Sequence, residues 1–164
     1  MRIICILALL SIFLALPLAA QSPASPDRFG AFGIGYFSQA TPQFQGWAAL
    51  GIPLTSDHKA ISYTDMDISV SKSAGQNMIS GHQMTYSVHP GLAYRVFLSG
   101  SWSLYALAAP GFVADGSTFQ SSFEYGGFLH KSLGSGWGAL IALTKEQYGA
   151  VSDLAPRIGI TKKF

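Results

Sequence analysis

Three side chains in the second half of the chain have the types found in serine hydrolases. His130 and Ser132 are two positions apart, and Glu146 follows further along the sequence. A serine nucleophile needs a histidine base within hydrogen-bond reach and an acid that orients this histidine. The strand assignment given below places Ser132 at a tight turn and Glu146 in a loop at the opposite end, roughly 25 Å away. No Gly-x-Ser-x-Gly motif offers another nucleophile, so we expect no catalytic site.

Metal-binding residues are also present, but their spacing is not that of a metal site. His58, His82, His89 and His130 show no ligand-like spacing to one another. Asp65 and Asp67 fall on one face of a predicted strand and could contact a cation, but two carboxylates on one strand face more often pair with Arg or Lys of a neighbouring strand. The sequence therefore predicts neither a metal site nor a cofactor.

The composition indicates what kind of scaffold carries these residues. The chain has 164 residues, of which 49% are hydrophobic and only 11% are charged, and its formal net charge is +2. Ordinary soluble domains have roughly 25% charged residues. Disordered chains, coiled coils and nucleic-acid-binding proteins all need a higher charge density. We therefore expect no nucleic-acid partner.

The first twenty residues have the pattern of an export signal. Arg2 precedes an apolar stretch from Ile3 to Leu16, and the small residues Ala19 and Ala20 follow it. We predict a signal peptide over residues 1–20, a short leader over residues 21–28 and one domain over residues 29–164. Cys5, the single cysteine, belongs to the predicted signal peptide, so the exported domain has neither a disulfide nor a thiol nucleophile.

The rest of the chain shows the period-2 alternation of β-strands, without a sustained helical repeat. This pattern predicts an all-β fold of eight antiparallel strands. The predicted strands are Phe29–Phe37, Gly46–Leu54, Lys59–Val70, Gln83–Phe97, Ser101–Phe112, Thr118–Lys131, Trp137–Thr144 and Ala155–Phe164.

The predicted connections alternate in length along the chain. The longer ones are Ser38–Gln45, Ser71–His82, Val113–Ser117 and Lys145–Leu154, and the shorter ones are Thr55–His58, Leu98–Gly100 and Ser132–Gly136. This alternation is typical of up-and-down transmembrane barrels, in which both termini lie on the side of the tight turns. Pro90 lies in the middle of a predicted strand, where proline cannot donate to the ladder, so we expect either a bulge there or a strand placed differently.

The two faces of the strands differ in the size of their side chains. One face carries bulky apolar residues, among them Trp102, Leu104, Phe123, Ile158 and Ile160. The other is mostly Gly, Ala, Ser and Thr, which would cover a water-exposed surface poorly. Because an eight-stranded barrel has little interior room, we expect the small face to line the lumen and the bulky face to contact lipid. Aromatic residues near strand ends are expected at the membrane interfaces: Tyr36, Trp47, Tyr94, Trp102, Phe112, Phe119 and Trp137.

The face assigned to the lumen also carries eight ionisable residues of the strands. They are His89, His130, the acids Asp65, Asp67 and Glu124, and the bases Arg95, Arg157 and Lys163. Three acids facing three bases predict mutual ion pairing that neutralises the interior, because an unpaired buried charge is costly. A role of these pairs in gating a small conductance is the functional alternative.

The export signal, the eight amphipathic strands and the alternating hairpins resemble small outer-membrane β-barrel proteins of the OmpA/OmpX type. The terminal Phe164, preceded by Ile158 and Ile160 at alternate positions, is similar to the signal read by the barrel-assembly machinery, although Lys162 interrupts the apolar pattern. The resemblance implies residence in the outer membrane of a diderm bacterium, with membrane lipid and the assembly machinery as partners. It also implies a structural or surface-interaction role and a side-chain-filled lumen with at most a narrow conductance.

Two alternatives to an outer-membrane barrel without catalytic activity remain at this stage. A soluble periplasmic barrel of lipocalin-like build would turn the bulky face inward and hold a small hydrophobic ligand. Barrel enzymes that remove acyl chains from lipid A use a His, a Ser and an acid on the lipid-facing surface, so a hydrolase built on His130, Ser132 and Glu146 is the third possibility.

Overall fold

A computed structural model of the protein describes residues 28–37, 43–72, 82–115 and 118–164. The predicted signal peptide over residues 1–20 and nearly all of the predicted leader lie outside the described residues. Within the described part, the chain forms eight β-strands. They are β1 (Phe29–Phe37), β2 (Gln43–Pro53), β3 (Ala60–Lys72), β4 (His82–Ser99), β5 (Trp102–Asp115), β6 (Thr118–Gly134), β7 (Trp137–Tyr148) and β8 (Val151–Lys163).

Each strand pairs antiparallel with the next, and β8 pairs with β1 to close a barrel. The closing register runs from Phe29 opposite Lys163 to Gly35 opposite Arg157. Closure matters because it leaves no sheet edge with unpaired N–H and C=O groups. The predicted eight-stranded up-and-down topology is confirmed.

No helix in the described residues is long and apolar enough to span a membrane.

Two of the connections predicted to be long are short, and these predictions were wrong. The β7 strand continues through Tyr148 and β8 begins at Val151, so the supposed loop Lys145–Leu154 is a tight turn at Gly149, whose φ is +55°. The β5 strand likewise continues to Asp115, and β6 begins at Thr118. Polar residues near these ends suggested loops, but on β7 they continue the strand alternation, with Glu146 buried between the exposed Lys145 and Gln147. The predicted loop Ser71–His82 falls largely outside the described residues.

Pro90 is accommodated without a bulge, contrary to the prediction. The β3–β4 register passes through Pro90 without a shift. Between β4 and β5 the pairing is interrupted from Val88 opposite Phe112 to Leu92 opposite Ala108, and on this register Pro90 and Pro110 lie opposite each other. Two residues without an N–H therefore share one gap in the ladder. The bulge on β4 lies instead between Arg95 and Phe97.

The exterior of the barrel carries the bulky face predicted from the alternation. The side chains assigned to lipid are exposed: Trp102 39%, Leu104 39%, Phe123 44%, Ile158 57% and Ile160 43%. Their strand neighbours Ser103, Glu124, Arg157 and Thr161 are buried inside. A barrel with this face inward, as a lipocalin-like protein requires, is not the arrangement observed.

The end of the lumen nearer the termini is filled by apolar and aromatic side chains. Phe128 stacks on Tyr63 and on Tyr105, with ring centroids 5.1 Å and 4.7 Å apart, and Ile61 and Leu140 are buried in the same cluster. Large side chains thus occupy a space for which mainly small residues were expected. The stacked rings lie inside this part of the barrel.

Trp47 was predicted at a membrane interface and instead lies inside the barrel, only 4% exposed. Its indole N–H donates to the Ile34 carbonyl at 3.2 Å. Gly159 on β8 leaves room for the ring, because a Cβ at that position would lie 2.6 Å from Trp47 Cζ2.

Candidate functional site

An ionic cluster fills the lumen on the side of the apolar cluster away from the termini. Strand register brings its members together: Asp65 lies opposite His89 on the β3–β4 pair, and Glu124 lies opposite Glu146 on the β6–β7 pair. Arg157 enters from β8. All five side chains are almost fully buried, with exposed fractions between 0% and 3%.

Arg157 is the central cation of the cluster. Its Nη1 donates to Asp65 Oδ2 at 2.6 Å and forms an ion pair with Glu124 Oε1 at 2.6 Å, and its Nη2 donates to Asp67 Oδ2 at 2.9 Å. Gly35 on β1 makes room for this side chain, since a Cβ there would lie 2.9 Å from Arg157 Cγ. One guanidinium thus joins carboxylates from two different strand pairs, as its planar set of donors allows.

Asp67 is held by further neutral donors. The amide of Gln45 makes a short hydrogen bond to Asp67 Oδ1, and Ser87 Oγ donates to Asp67 Oδ2 at 3.0 Å. Both oxygens of Asp67 are therefore engaged within the cluster.

His89 occupies the centre of the acidic groups and is fully buried. Its Nε2 is 2.9 Å from Ser122 Oγ and 3.0 Å from Glu146 Oε1. Its Nδ1 is 3.7 Å from Asp65 Oδ1 and 3.7 Å from Glu124 Oε2. The latter distances are too long for hydrogen bonds, and all three of these atoms lack a hydrogen-bond partner in the described structure.

The predicted balance of three acids and three bases is not what the structure assembles. Asp65, Asp67, Glu124 and Arg157 come together, while the other two predicted bases lie near the barrel end that carries the termini. The Arg95 guanidinium donates to the Asp57 carbonyl at 2.7 Å in the β2–β3 turn, and Lys163 is exposed at the end of β8.

Glu146 is the cluster member that sequence reasoning missed. It was assigned to a loop because the run Lys145-Glu146-Gln147 is polar, yet Glu146 is buried and faces His89. The alternation of β7, continued past Thr144, places it inward and could have found it. With Glu146 included, four carboxyl groups surround one arginine and one histidine, so acidic groups outnumber basic ones in the cluster.

The hydrolase residues do not form a triad. His130 Nε2 is 2.9 Å from Thr161 Oγ1 inside the barrel, and Ser132 is exposed at the end of the β6–β7 hairpin. Glu146 lies opposite Glu124, six residues along β6 from His130, which corresponds to roughly 20 Å. The three groups cannot share a proton.

Asp65, Asp67 and His89 satisfy the basic geometry of a metal-binding group, because one potential ligand atom from each lies within 4.8 Å of the others. The sequence prediction of no metal site considered spacing within the chain, whereas these residues meet across two strands. The other histidines lie elsewhere: His58 is in the β2–β3 turn with φ +55°, and the His82 side chain is outside the described set.

The β2–β3 turn, at the barrel end near the termini, contains a separate polar network. Thr55 Oγ1 donates to Asp57 Oδ1 at 2.7 Å, and the Lys59 backbone N–H donates to the same oxygen at 3.1 Å. These hydrogen bonds, with the Lys59 ammonium 3.2 Å from Asp57 Oδ2, lower the pKa of Asp57 to about 2.

Comparison with solved structures identifies the fold. The chain is similar to Neisserial surface protein A, with a TM-score of 0.61 and 11% identity, over 84% of this chain and 96% of that one. It is similar to Ail, the attachment invasion locus protein of Yersinia pestis, with a TM-score of 0.56 and 14% identity, over 84% and 97% of the two chains. It is also similar to the outer membrane enzyme PagL, with a TM-score of 0.54 and 13% identity, over 82% and 98%.

No protein-family model matches the sequence, and no curated protein matches it. The structural similarities show the fold of the eight-stranded outer-membrane barrels, as the sequence pattern predicted.

Proposed function

We propose that the protein is an integral outer-membrane β-barrel with a structural or surface-interaction role, that it is not an enzyme, and that side chains close its lumen. The observation that carries this proposal is the continuous apolar exterior. Among the outward side chains that the structure describes in the strands, charge is carried only by Lys131, Lys145 and Lys162. Only lipid accommodates so extensive an apolar surface on a folded barrel.

The height of the apolar surface supports membrane residence. On β7 the outward side chains between Trp137 and Lys145 are Ala139, Ile141 and Leu143. Eight steps of about 3.4 Å span about 27 Å along the strand, or about 20 Å along the barrel axis at a tilt of about 40°. This height approaches the apolar band of about 25 Å found in outer-membrane barrels.

Aromatic residues mark the rim of the barrel near the termini. Lys131 Nζ lies 4.8 Å from the Trp102 ring centroid, and Lys162 Nζ lies 4.7 Å from the Trp137 ring centroid. Strand pairing places each lysine opposite its tryptophan. Tryptophan and lysine side chains placed together in this way are typical of the polar interface of a membrane. We therefore infer that this rim contacts lipid headgroups, with outer-membrane lipid and the assembly machinery as partners of the barrel.

The stacked rings of Tyr63, Phe128 and Tyr105, together with the ionic cluster above them, support a closed lumen. An eight-stranded barrel has an interior that side chains can fill. Current recordings across planar bilayers test this point. We expect no stepwise conductance from the wild-type barrel, and reproducible single-channel steps would contradict a closed lumen.

Cell fractionation combined with electrophoresis tests membrane residence. We expect the protein in the outer-membrane fraction and a mobility shift between unheated and boiled samples, because a lipid-embedded barrel stays folded in detergent. Recovery of folded protein from the soluble periplasm would overturn the proposal.

The fold is shared with the outer membrane enzyme PagL, so the absence of enzymatic activity needs its own test. The separation of Ser132, His130 and Glu146 supports a non-enzymatic role. We expect no release of acyl chains when purified barrel is incubated with lipid A. Hydrolysis by the wild type that is lost in Ser132→Ala would contradict this part of the proposal.

A further inference from the structure

We propose that Asp65, His89 and Glu124 bind one divalent transition-metal ion, such as Zn²⁺, inside the barrel. The proposal starts from three buried atoms that face one another without hydrogen-bond partners, namely Asp65 Oδ1, His89 Nδ1 and Glu124 Oε2. The ring nitrogen is 3.7 Å from each of the two oxygens. Ligand atoms about 2.0–2.2 Å from a tetrahedral ion are about 3.3–3.6 Å apart, so these two nitrogen–oxygen distances are close to those of a metal site.

Arg157 orients both carboxylates toward this point. Asp65 uses Oδ2 and Glu124 uses Oε1 to contact the guanidinium, each at 2.6 Å. The second oxygen of each carboxylate is thereby turned to His89 Nδ1. The two oxygens that contact arginine and the two that face the histidine are different atoms, so the guanidinium and a metal ion do not compete for the same ligands.

The environment of the other ring nitrogen favours metal binding at Nδ1. His89 Nε2 is 3.0 Å from Glu146 Oε1 and 2.9 Å from Ser122 Oγ. A carboxylate at this distance favours a proton on Nε2, which leaves the lone pair of a neutral imidazole on Nδ1. In metal-bound histidines the other ring nitrogen commonly has a polar partner; here Nε2 is hydrogen-bonded to Ser122 Oγ and lies within ion-pair distance of Glu146. Glu146 is accordingly a positioning residue.

The charge of the cluster and the chemistry of its ligands indicate the class of ion. Four carboxylates, from Asp65, Asp67, Glu124 and Glu146, lie around Arg157 and His89, so acidic groups outnumber basic ones and the cluster favours a cation over an anion. One imidazole and two carboxylates suit first-row ions such as Zn²⁺ better than Ca²⁺, which prefers six to eight oxygen ligands. Asp67 lies close enough to join the group, but its oxygens already accept bonds from Gln45, Ser87 and Arg157.

The test measures Zn²⁺ binding by the full barrel in detergent, after treatment with a chelator and desalting. We expect about one Zn²⁺ per chain by atomic emission, with no displacement by excess Ca²⁺. His89→Gln retains an amide near Glu146 but removes the Nδ1 ligand, and we expect its Zn²⁺ affinity to fall at least 10-fold. The matched control is His130→Gln, a second histidine inside the barrel, which should bind Zn²⁺ as the wild type does.

Glu146→Gln separates a positioning role from a purely structural one. We expect a loss of about 10- to 100-fold in Zn²⁺ affinity in a barrel that still shows the heat-dependent mobility shift. Failure of the wild-type barrel to retain Zn²⁺, or equal retention by His89→Gln and wild type, would overturn the proposed site. The three unpartnered atoms would then be explained by a bound proton or water.

A measurement on the wild-type protein keeps the test decisive if His89→Gln does not fold. X-ray absorption of the bound Zn²⁺ should show one imidazole nitrogen, with oxygen atoms as the other ligands. A spectrum without imidazole, or with more than one, would place the ion elsewhere and refute the site. These outcomes do not depend on where in the cell the barrel resides.

Discussion

Replacing Ile158 by arginine tests the orientation of the barrel surface. Ile158 is outward and 57% exposed, and it lies between Ile34 on β1 and Ile141 on β7, near the middle of β8. If this surface contacts lipid, a midplane arginine costs about 2–4 kcal/mol. Loss of the exposed part of the isoleucine adds about 1–2 kcal/mol. We therefore expect the free energy of unfolding of Ile158→Arg to fall by about 3–6 kcal/mol.

The assay is urea unfolding of the barrel in lipid vesicles, followed by tryptophan fluorescence. The control is Leu154→Arg, which is also outward but lies opposite Lys145 near the far rim, where the charge itself costs about 0–1 kcal/mol. Loss of the apolar side chain lowers the free energy of unfolding by a similar amount in both variants. The difference between the two losses therefore measures the effect of depth in the membrane. Equal losses in the two variants, or a gain in stability for Ile158→Arg, would refute the assignment of this face to the membrane core.

Three further predictions concern the interior and one turn. Arg157→Met leaves Asp65, Asp67 and Glu124 without their cation and should lower the free energy of unfolding by about 3–5 kcal/mol. The control Arg95→Met loses one hydrogen bond to a turn carbonyl and should lower it by about 1 kcal/mol. Equal losses in the two variants would count against a central role for Arg157. Phe128→Ala removes the ring stacked between Tyr63 and Tyr105 and should lower the free energy of unfolding by about 3–5 kcal/mol in the same urea titration. The control Leu133→Ala, whose side chain is exposed, should have a small effect. Thr55→Val removes the hydrogen bond to Asp57 and should raise the pKa of Asp57 from about 2 toward its ordinary value of 3.8 in an NMR titration. Because the folded pKa of Asp57 is lowered, its contribution to stability is present above about pH 4 and is lost as the pH falls toward 2. An unchanged pKa of Asp57 in Thr55→Val would show that Lys59 alone lowers it.

The fold and the orientation of most side chains follow from local alternation. Successive side chains of a strand point to opposite faces, so the pattern around Asp65, Glu124 and Arg157 was enough to place all three on one side of the sheet. The closed topology followed from hairpins joining neighbouring strands. These features depend only on residues that are near one another in sequence.

The composition of the ionic cluster depends on register between distant strands, which alternation does not determine. Arg157 contacts Asp65 across the lumen, although 92 residues separate them in sequence. Arg95 is on the same face but at a different height, so it contacts a turn carbonyl. Trp47 was misplaced for a similar reason, because the space that admits its ring is created by Gly159 on β8.

The paired prolines of β4 and β5 determine how the barrel wall deforms. Flattening the cylinder strains N–H to C=O bonds wherever neighbouring strands are fully paired. Pro90 and Pro110 have no N–H to contribute at the interrupted stretch of the β4–β5 ladder, so curvature changes there at the lowest elastic cost. Lateral pressure from the bilayer should therefore bend the barrel wall most sharply along this line.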